Sequence, residues 1–204
     1  MKLIPMSIKE MSCYATVPTE EALLIFIGEC AGEAYNSSKD ADACINRALG
    51  CIKRGHHSVF EHMSITLKST VDRGTSHALV RHRHCAITQS STIYQKFQEI
   101  EIIEQPDVTE FELECYRHDE IVYQQLLNYG KAPSRARDVL PTELATNVII
   151  TTNMRQWMYM LQRRCGPGDS DNMHRWDTMI RAWFEEHYPR LTAAFDTWYE
   201  KHPL

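Results

Sequence analysis

Eight residues in the middle of the chain, Ser64 to Val71, alternate in character. Ile65, Leu67 and Ser69 fall on one side, and Thr66, Lys68 and Thr70 on the other. A two-residue period sends successive side chains to opposite faces of an extended backbone, so the stretch reads as a strand with one buried face. It runs without a spacer into Asp72, Arg73, Gly74 and Thr75, a turn and helix start. A second β-rich run, Leu144 to Thr152, is mixed enough to be a central strand. It too leads directly to a capping residue, Asn153, and then to a helix carrying Met154, Trp157, Met158, Met160 and Leu161. The expected fold class is therefore α+β: about four strands in a largely antiparallel sheet, with helices on one side and a helical lobe from the middle of the chain.

The remaining elements follow from caps and periods. Met11 to Val17 reads as a short strand. Thr19, followed by Glu20 and Glu21, starts a helix whose apolar residues Leu23, Leu24, Ile27 and Ala31 carry it to about Tyr35. A second helix is expected from Asp40 to Arg54, with Gly55 as its stop. Helical structure is also expected from Ser76 to Arg83, followed by a loop over residues 84–93. Phe97 to Ile103 alternates as a further strand. Glu110 to Tyr129 reads as a long helix with Phe111, Leu113, Ile121, Leu126 and Leu127 on or near its inner face. His174 to Tyr188 and Pro189 to Lys201 read as packing helices. A length of 204 residues is that of one domain, residues 1–204.

The chemistry concentrates between positions 73 and 96. Arg81, His82 and Arg83 stand side by side, and hydroxyl residues follow at Thr88, Ser90, Ser91 and Thr92. Guanidinium groups present forked donors that suit phosphates, carboxylates and base edges, and hydroxyls complete such sites. A solvated basic face is the plainer alternative. Net charge is −5, which argues against a general nucleic-acid binder and for a small anionic ligand at this local cluster. No stretch is apolar enough to span a membrane, and no targeting segment is visible. Seven cysteines without a CxxC pair suggest free thiols in a reducing cytoplasm. No GxGxxG is present, so a Rossmann dinucleotide site is not expected. His56, His57, Glu61 and His62 invite a metal reading, but their spacing misses HExxH and HxxEH by one residue. A loop with capping histidines suits them better than zinc.

Arg81-His82-Arg83, seven residues and then Ser91 form an RHR-x7-S pattern. With His56 to His62 upstream and Ala136 to Pro141, Asn153, Arg155 and Arg164 downstream, the chain resembles the flavin-dependent thymidylate synthases over roughly residues 25–180. That resemblance implies an α+β fold like that of the thymidylate synthase complementing proteins. It also implies FAD as cofactor, NADPH as reductant and methylenetetrahydrofolate as one-carbon donor, with a pyrimidine deoxynucleotide monophosphate as substrate, most simply dUMP converted to dTMP. Sites in the family are built across the subunits of a homotetramer, in the cytoplasm, with no nucleic-acid or membrane partner. Carried over residue by residue, His56, Ser58, Glu61, His82, Arg83, His84, Asn153, Arg155 and His174 would meet flavin. Arg81, Gln89, Ser90, Ser91, Arg137 and Arg164 would meet the nucleotide. Arg81 and Arg164 are the catalytic candidates, because preorganised guanidiniums stabilise charge developing on the pyrimidine. Arg163 is a neighbouring candidate for the last role. Cys85 occupies a filler position, and Ser91 is better read as a phosphate or orientation ligand than as a nucleophile.

Three positions depart from the family pattern: Ala78 where a Gln is usual, Gln89 where an acid is common, and Ile93 where an Arg normally binds the phosphate. Lys96 is a candidate substitute for that Arg. The segment from Gly166 to Asn172 is also longer than the family usually shows. These departures leave open the same chemistry on dCMP, giving a 5-methyl or 5-hydroxymethyl product, and a non-catalytic flavin- or nucleotide-binding relative.

Overall fold

A computed structural model of the chain describes residues 1–11, 18–164 and 166–203. The strand expected over Met11 to Val17 lies outside the described residues from position 12 onward. In chain order the elements are β1 (Lys2–Ile4), β2 (Ser7–Glu10), α1 (Glu20–Glu33), α2 (Ala41–Lys53), β3 (Ser64–Asp72), α3 (Arg73–Leu79), β4 (Ala86–Gln89), β5 (Glu101–Ile103), α4 (Glu110–Asn128), α5 (Pro133–Ala136), β6 (Ala145–Asn153), α6 (Met154–Arg163), α7 (Asp171–His187) and α8 (Pro189–Lys201). Short 3-10 turns cover His57–His62 and Arg137–Val139. A four-stranded antiparallel sheet has the order β2-β3-β6-β4, and β1 pairs with β5 in parallel. The fold class is α+β, as expected. β6 is an interior strand of the sheet, and β3 buries Ile65, Leu67, Ser69 and Val71 in strict alternation. None of the described helices is long and apolar enough to cross a membrane.

The chain divides into two compact units. The first comprises Met1–Lys9, Lys68–Arg81 and Ile87–Ile149, and the second Glu10–Leu67, His82–Ala86 and Ile150–Leu204. In the first unit, Ile100, Ile102, Tyr116 and Leu144 form a core flanked by Met1, Leu3, Phe97 and Leu113. α4 starts with a capping box in which Thr109 and Glu112 satisfy each other's neighbouring N–H groups. Its inward stripe is Tyr116 and Tyr123. Phe111 and Ile121, expected inside, are 74% and 54% exposed. Polar groups decide this face. Glu120 accepts from the Met1 ammonium and from the Ile100 N–H, and the Tyr123 hydroxyl accepts from the Phe97 N–H. Those same bonds shorten the strand expected over Phe97 to Ile103 to Glu101–Ile103, because the Phe97 and Ile100 donors are taken by side chains rather than by a sheet ladder.

The second unit is built on α1, α2, α6, α7 and α8. Thr19, Asp40, Asn153 and Ser170 each accept the backbone N–H three residues on and so start α1, α2, α6 and α7. Gly55, at φ +75°, takes the left-handed conformation that ends α2. Gly28 lets α1 lie against α2: a Cβ there would stand 2.1 Å from the Cys44 carbonyl oxygen. Trp157, Trp176, Phe60, Phe184 and Phe195 are fully buried, and the Trp157 indole N–H donates to the Ile65 carbonyl at 3.2 Å.

Two local expectations are corrected. α3 begins at Arg73 and ends at Leu79, because Asp72 caps it through the Thr75 N–H at 2.8 Å. Residues 81–83 therefore lie beyond the helix. The loop expected over residues 84–93 contains β4, whose pattern is weak because β4 is an edge strand with no fully buried residue.

Candidate functional site

In the first unit a cleft of about 230 Å³ is lined by Arg73, Thr92, Arg137, Asp138, Leu140 and Leu144. Arg73 sits there because Asp72 starts α3 one residue earlier. Arg137 opens the 3-10 turn and donates to the buried Thr92 hydroxyl at 3.0 Å. Asp138 is engaged by Arg135 at 2.6 Å. Among the described residues no carboxylate pairs with Arg73 or Arg137. Burial first, and the neighbouring Arg137 charge second, push the Arg73 pKa down. Two guanidiniums thus face one cleft whose lining carboxylate, Asp138, is engaged by Arg135. Such an arrangement is costly for the empty protein and favourable for an anion.

Gln89, Ser90 and Ser91 belong to the same unit. The Gln89 amide donates to Ser76 Oγ at 2.9 Å and to Thr146 Oγ1 at 3.3 Å. Ser76 sends its own proton to the Arg73 carbonyl at 2.8 Å, so toward Gln89 it can only accept. The amide orientation is thereby fixed, and Gln89 keeps its carbonyl oxygen as an acceptor. The Ser90 N–H donates to the Asn147 carbonyl, and Ser91 Oγ accepts from the Ile93 N–H at 3.1 Å. Arg81 is exposed, in the turn after α3. Thr92 is among the hydroxyls the sequence offered for an anion site, whereas Arg73 was not singled out as a ligand residue. The available signal was an arginine immediately following a helix-capping aspartate.

The second unit holds the rest. His82 is 8% exposed. Its Nε2 accepts from Arg164 Nε at 2.9 Å, which fixes the imidazole as neutral with its proton on Nδ1. Burial first, then the Arg164 and Arg163 charges, push its pKa down to about 4. Arg164 also donates from Nη1 to Asp169 Oδ1 at 3.2 Å, and both side chains are 13% exposed. Arg155 pairs with Glu61 at 2.5 Å on the surface, Glu61 being carried with His56 and Ser58 at the 3-10 turn. Asn153 spends its Oδ1 on the Gln156 N–H, which leaves its amide donors. Arg83 and His84 are exposed, and the His84 carbonyl accepts from Thr152 Oγ1 at 2.7 Å. His174 bonds through Nε2 to the Gly166 carbonyl at 2.9 Å. His57 is buried between Phe195 and Trp198 and bonded to the Ile52 carbonyl. Burial pushes the Cys85 thiol pKa up, so it is not an activated thiolate.

An α+β scaffold with a guanidinium pair facing one cleft and a separate set of oriented polar groups suits a class of protein that handles small anionic ligands. The family described as thymidylate synthase complementing protein matches residues 12–190. A flavin-dependent thymidylate synthase from a Synechocystis strain is 24% identical over 166 residues, covering 72% of this chain and 77% of that protein. One from Corynebacterium efficiens is 29% identical over 167 residues, covering 71% and 67%. One from Pyrococcus furiosus is 30% identical over 151 residues, covering 68% and 61%. The chain belongs to the flavin-dependent thymidylate synthase family, a family of transferase enzymes whose cofactor is FAD.

Proposed function

We propose that the chain transfers a one-carbon unit from methylenetetrahydrofolate to C5 of dUMP and reduces it, giving dTMP. FAD is the cofactor and NADPH its reductant. In this reading residues 1–204 act as one functional domain, assembled as a homotetramer in the cytoplasm. The free state of Cys30, Cys44, Cys51, Cys85 and Cys115 suits a reducing compartment. The observation that carries the reading is the Arg73–Arg137 cleft. It offers two forked donors for a phosphate, and it answers the absence of an Arg at position 93 without calling on Lys96.

The chain's own residues then divide the work. Arg73 and Arg137 take the phosphate, and Thr92 holds the Arg137 guanidinium in place. Ser90 and Ser91 complete the nucleotide side. The Gln89 carbonyl oxygen, left as an acceptor, matches the N3–H of a uracil. Arg81 and Arg164 stabilise charge that develops on the pyrimidine oxygens and N3 as C5 attacks.

The donor set of the second unit fits FAD. Arg155 and Arg83 supply cations for a pyrophosphate, and the Glu61 carboxylate suits ribose hydroxyls. His56, Ser58, His84, Asn153 and His174 are the accompanying polar groups. Neutral His82 serves as a hydrogen-bond donor through Nδ1, not as an acid. When bound, flavin supplies the hydride chemistry.

The test is a competition. Purified protein with FAD, NADPH and methylenetetrahydrofolate receives equal dUMP and dCMP, and products are read by mass spectrometry. dTMP is the expected product. A modified dCMP, or no product from either nucleotide, overturns the reading.

A further inference from the structure

We propose that Asp169, carried on the long segment between α6 and α7, is a positioning residue that holds the Arg164 guanidinium in its working orientation. The inference rests on the reading of Arg164 as a catalytic group. Arg164 stands at the C-terminus of α6, where a flexible side chain has many rotamers to lose. Among the described residues, two acceptors restrict it. His82 Nε2 takes the Nε–H at 2.9 Å, and Asp169 Oδ1 takes an Nη1–H at 3.2 Å.

The segment that brings Asp169 in is itself anchored. His174 donates to the Gly166 carbonyl at 2.9 Å, the Asp169 N–H donates to the same carbonyl at 3.1 Å, and Ser170 caps α7. Gly166 to Asp169 thus form a turn ending in a carboxylate on Arg164. The carboxylate and the arginine are equally sheltered, at 13% exposure each, so the pair is not a loose surface contact. His174 gains a role in the same arrangement, because it secures the base of the turn. A guanidinium fixed before substrate arrives needs no reorganisation during the reaction.

The experiment compares Asp169→Ala, Asp169→Asn, Asp169→Glu, Arg164→Ala and the neighbouring control Asp171→Asn. Expected is a fall in kcat of about ten- to a hundredfold for Asp169→Ala, with nucleotide KM moving much less, partial loss for Asp169→Asn and partial recovery for Asp169→Glu. Asp171→Asn should leave both constants unchanged. A second readout needs neither substrate nor cofactor. In 15N spectra of the protein alone, His82 should show Nδ1–H and an unprotonated Nε2, and Asp169→Ala should shift the Nε2 signal as Arg164 loosens. Full kcat in Arg164→Ala overturns the catalytic reading and the inference with it. An inactive Arg164→Ala beside an Asp169→Ala and Asp169→Asn with wild-type kcat and an unmoved His82 signal overturns the positioning role alone.

Discussion

Arginine is used in one way at the cleft of the first unit and in another at Arg164, Arg155 and Arg181 of the second. In the second, Arg164 is matched by His82 and Asp169, Arg155 by Glu61, and Arg181 by Asp196 at 2.8 Å. In the first, Arg73 and Arg137 share a cleft with a hydroxyl and with Asp138, which Arg135 engages, and among the described residues no carboxylate pairs with either. A matched guanidinium is oriented at the expense of part of its field. An unmatched pair keeps its field and repels itself until an anion arrives. The first arrangement suits a group that must be in place before chemistry, and the second a group that must capture a charged substrate.

The largest expected effects concern pH in the second unit, where two buried groups pull in opposite directions. His82 titrates near 4 when folded against an ordinary value of 6.5. Between those values the unfolded chain binds more protons, so this group withdraws stability as pH falls through the window, on the order of 2–3 kcal/mol in all. Asp177 is raised from 3.8 to about 6, first by burial, and its Oδ1 has no hydrogen-bond partner among the described residues. Arg181 and His174 oppose that shift, while Asp169 and Asp196 add to it. Here the folded chain binds more protons, so stability falls as pH rises from about 4 to about 6, by on the order of 2–3 kcal/mol. The two contributions offset. Denaturant titrations at several pH values should therefore show His82→Gln gaining relative to wild type on acidification, and Asp177→Asn gaining at neutral pH. Parallel curves for all three proteins would remove the electrostatic account of this unit.

Next in size is the effect of breaking the cation pair. Arg137→Ala removes a charged hydrogen-bond donor to the nucleotide, of order 1.5–3 kcal/mol, so nucleotide KM should rise about ten- to a hundredfold. The melting temperature should stay level or rise, because Arg73 loses a like charge. A KM that does not move would erase the contrast between the units. The smallest effect is expected at the exposed Arg155–Glu61 pair. Glu61→Gln should change folding stability by less than about 1 kcal/mol, yet weaken FAD binding measured by fluorescence quenching. A large stability loss with intact FAD affinity would make the pair structural.

Local rules were legible. Thr19, Asp40 and Asn153 cap their helices through a bond to the third residue on, and such a bond needs only chain neighbours. The alternation of β3 and the interior place of β6 also appear in the residue order. The inward face of α4 was misread because apolar Phe111 and Ile121 carry more weight by hydropathy than Glu120 and Tyr123. The latter two are inside because an N-terminal ammonium and backbone donors meet them there.

The sequence by itself determined the RHR-x7-S signature and hence the family, the capped helices and the two long strands. These depend on residues close in the chain or on a fixed motif. Tertiary structure alone decided which cations would be matched. His82 and Arg164 lie 82 positions apart, and Arg137 and Thr92 lie 45 apart. Charge pairing depends on distance and burial in space, so no local pattern could show that Arg164 meets His82 while Arg73 and Arg137 face a cleft together.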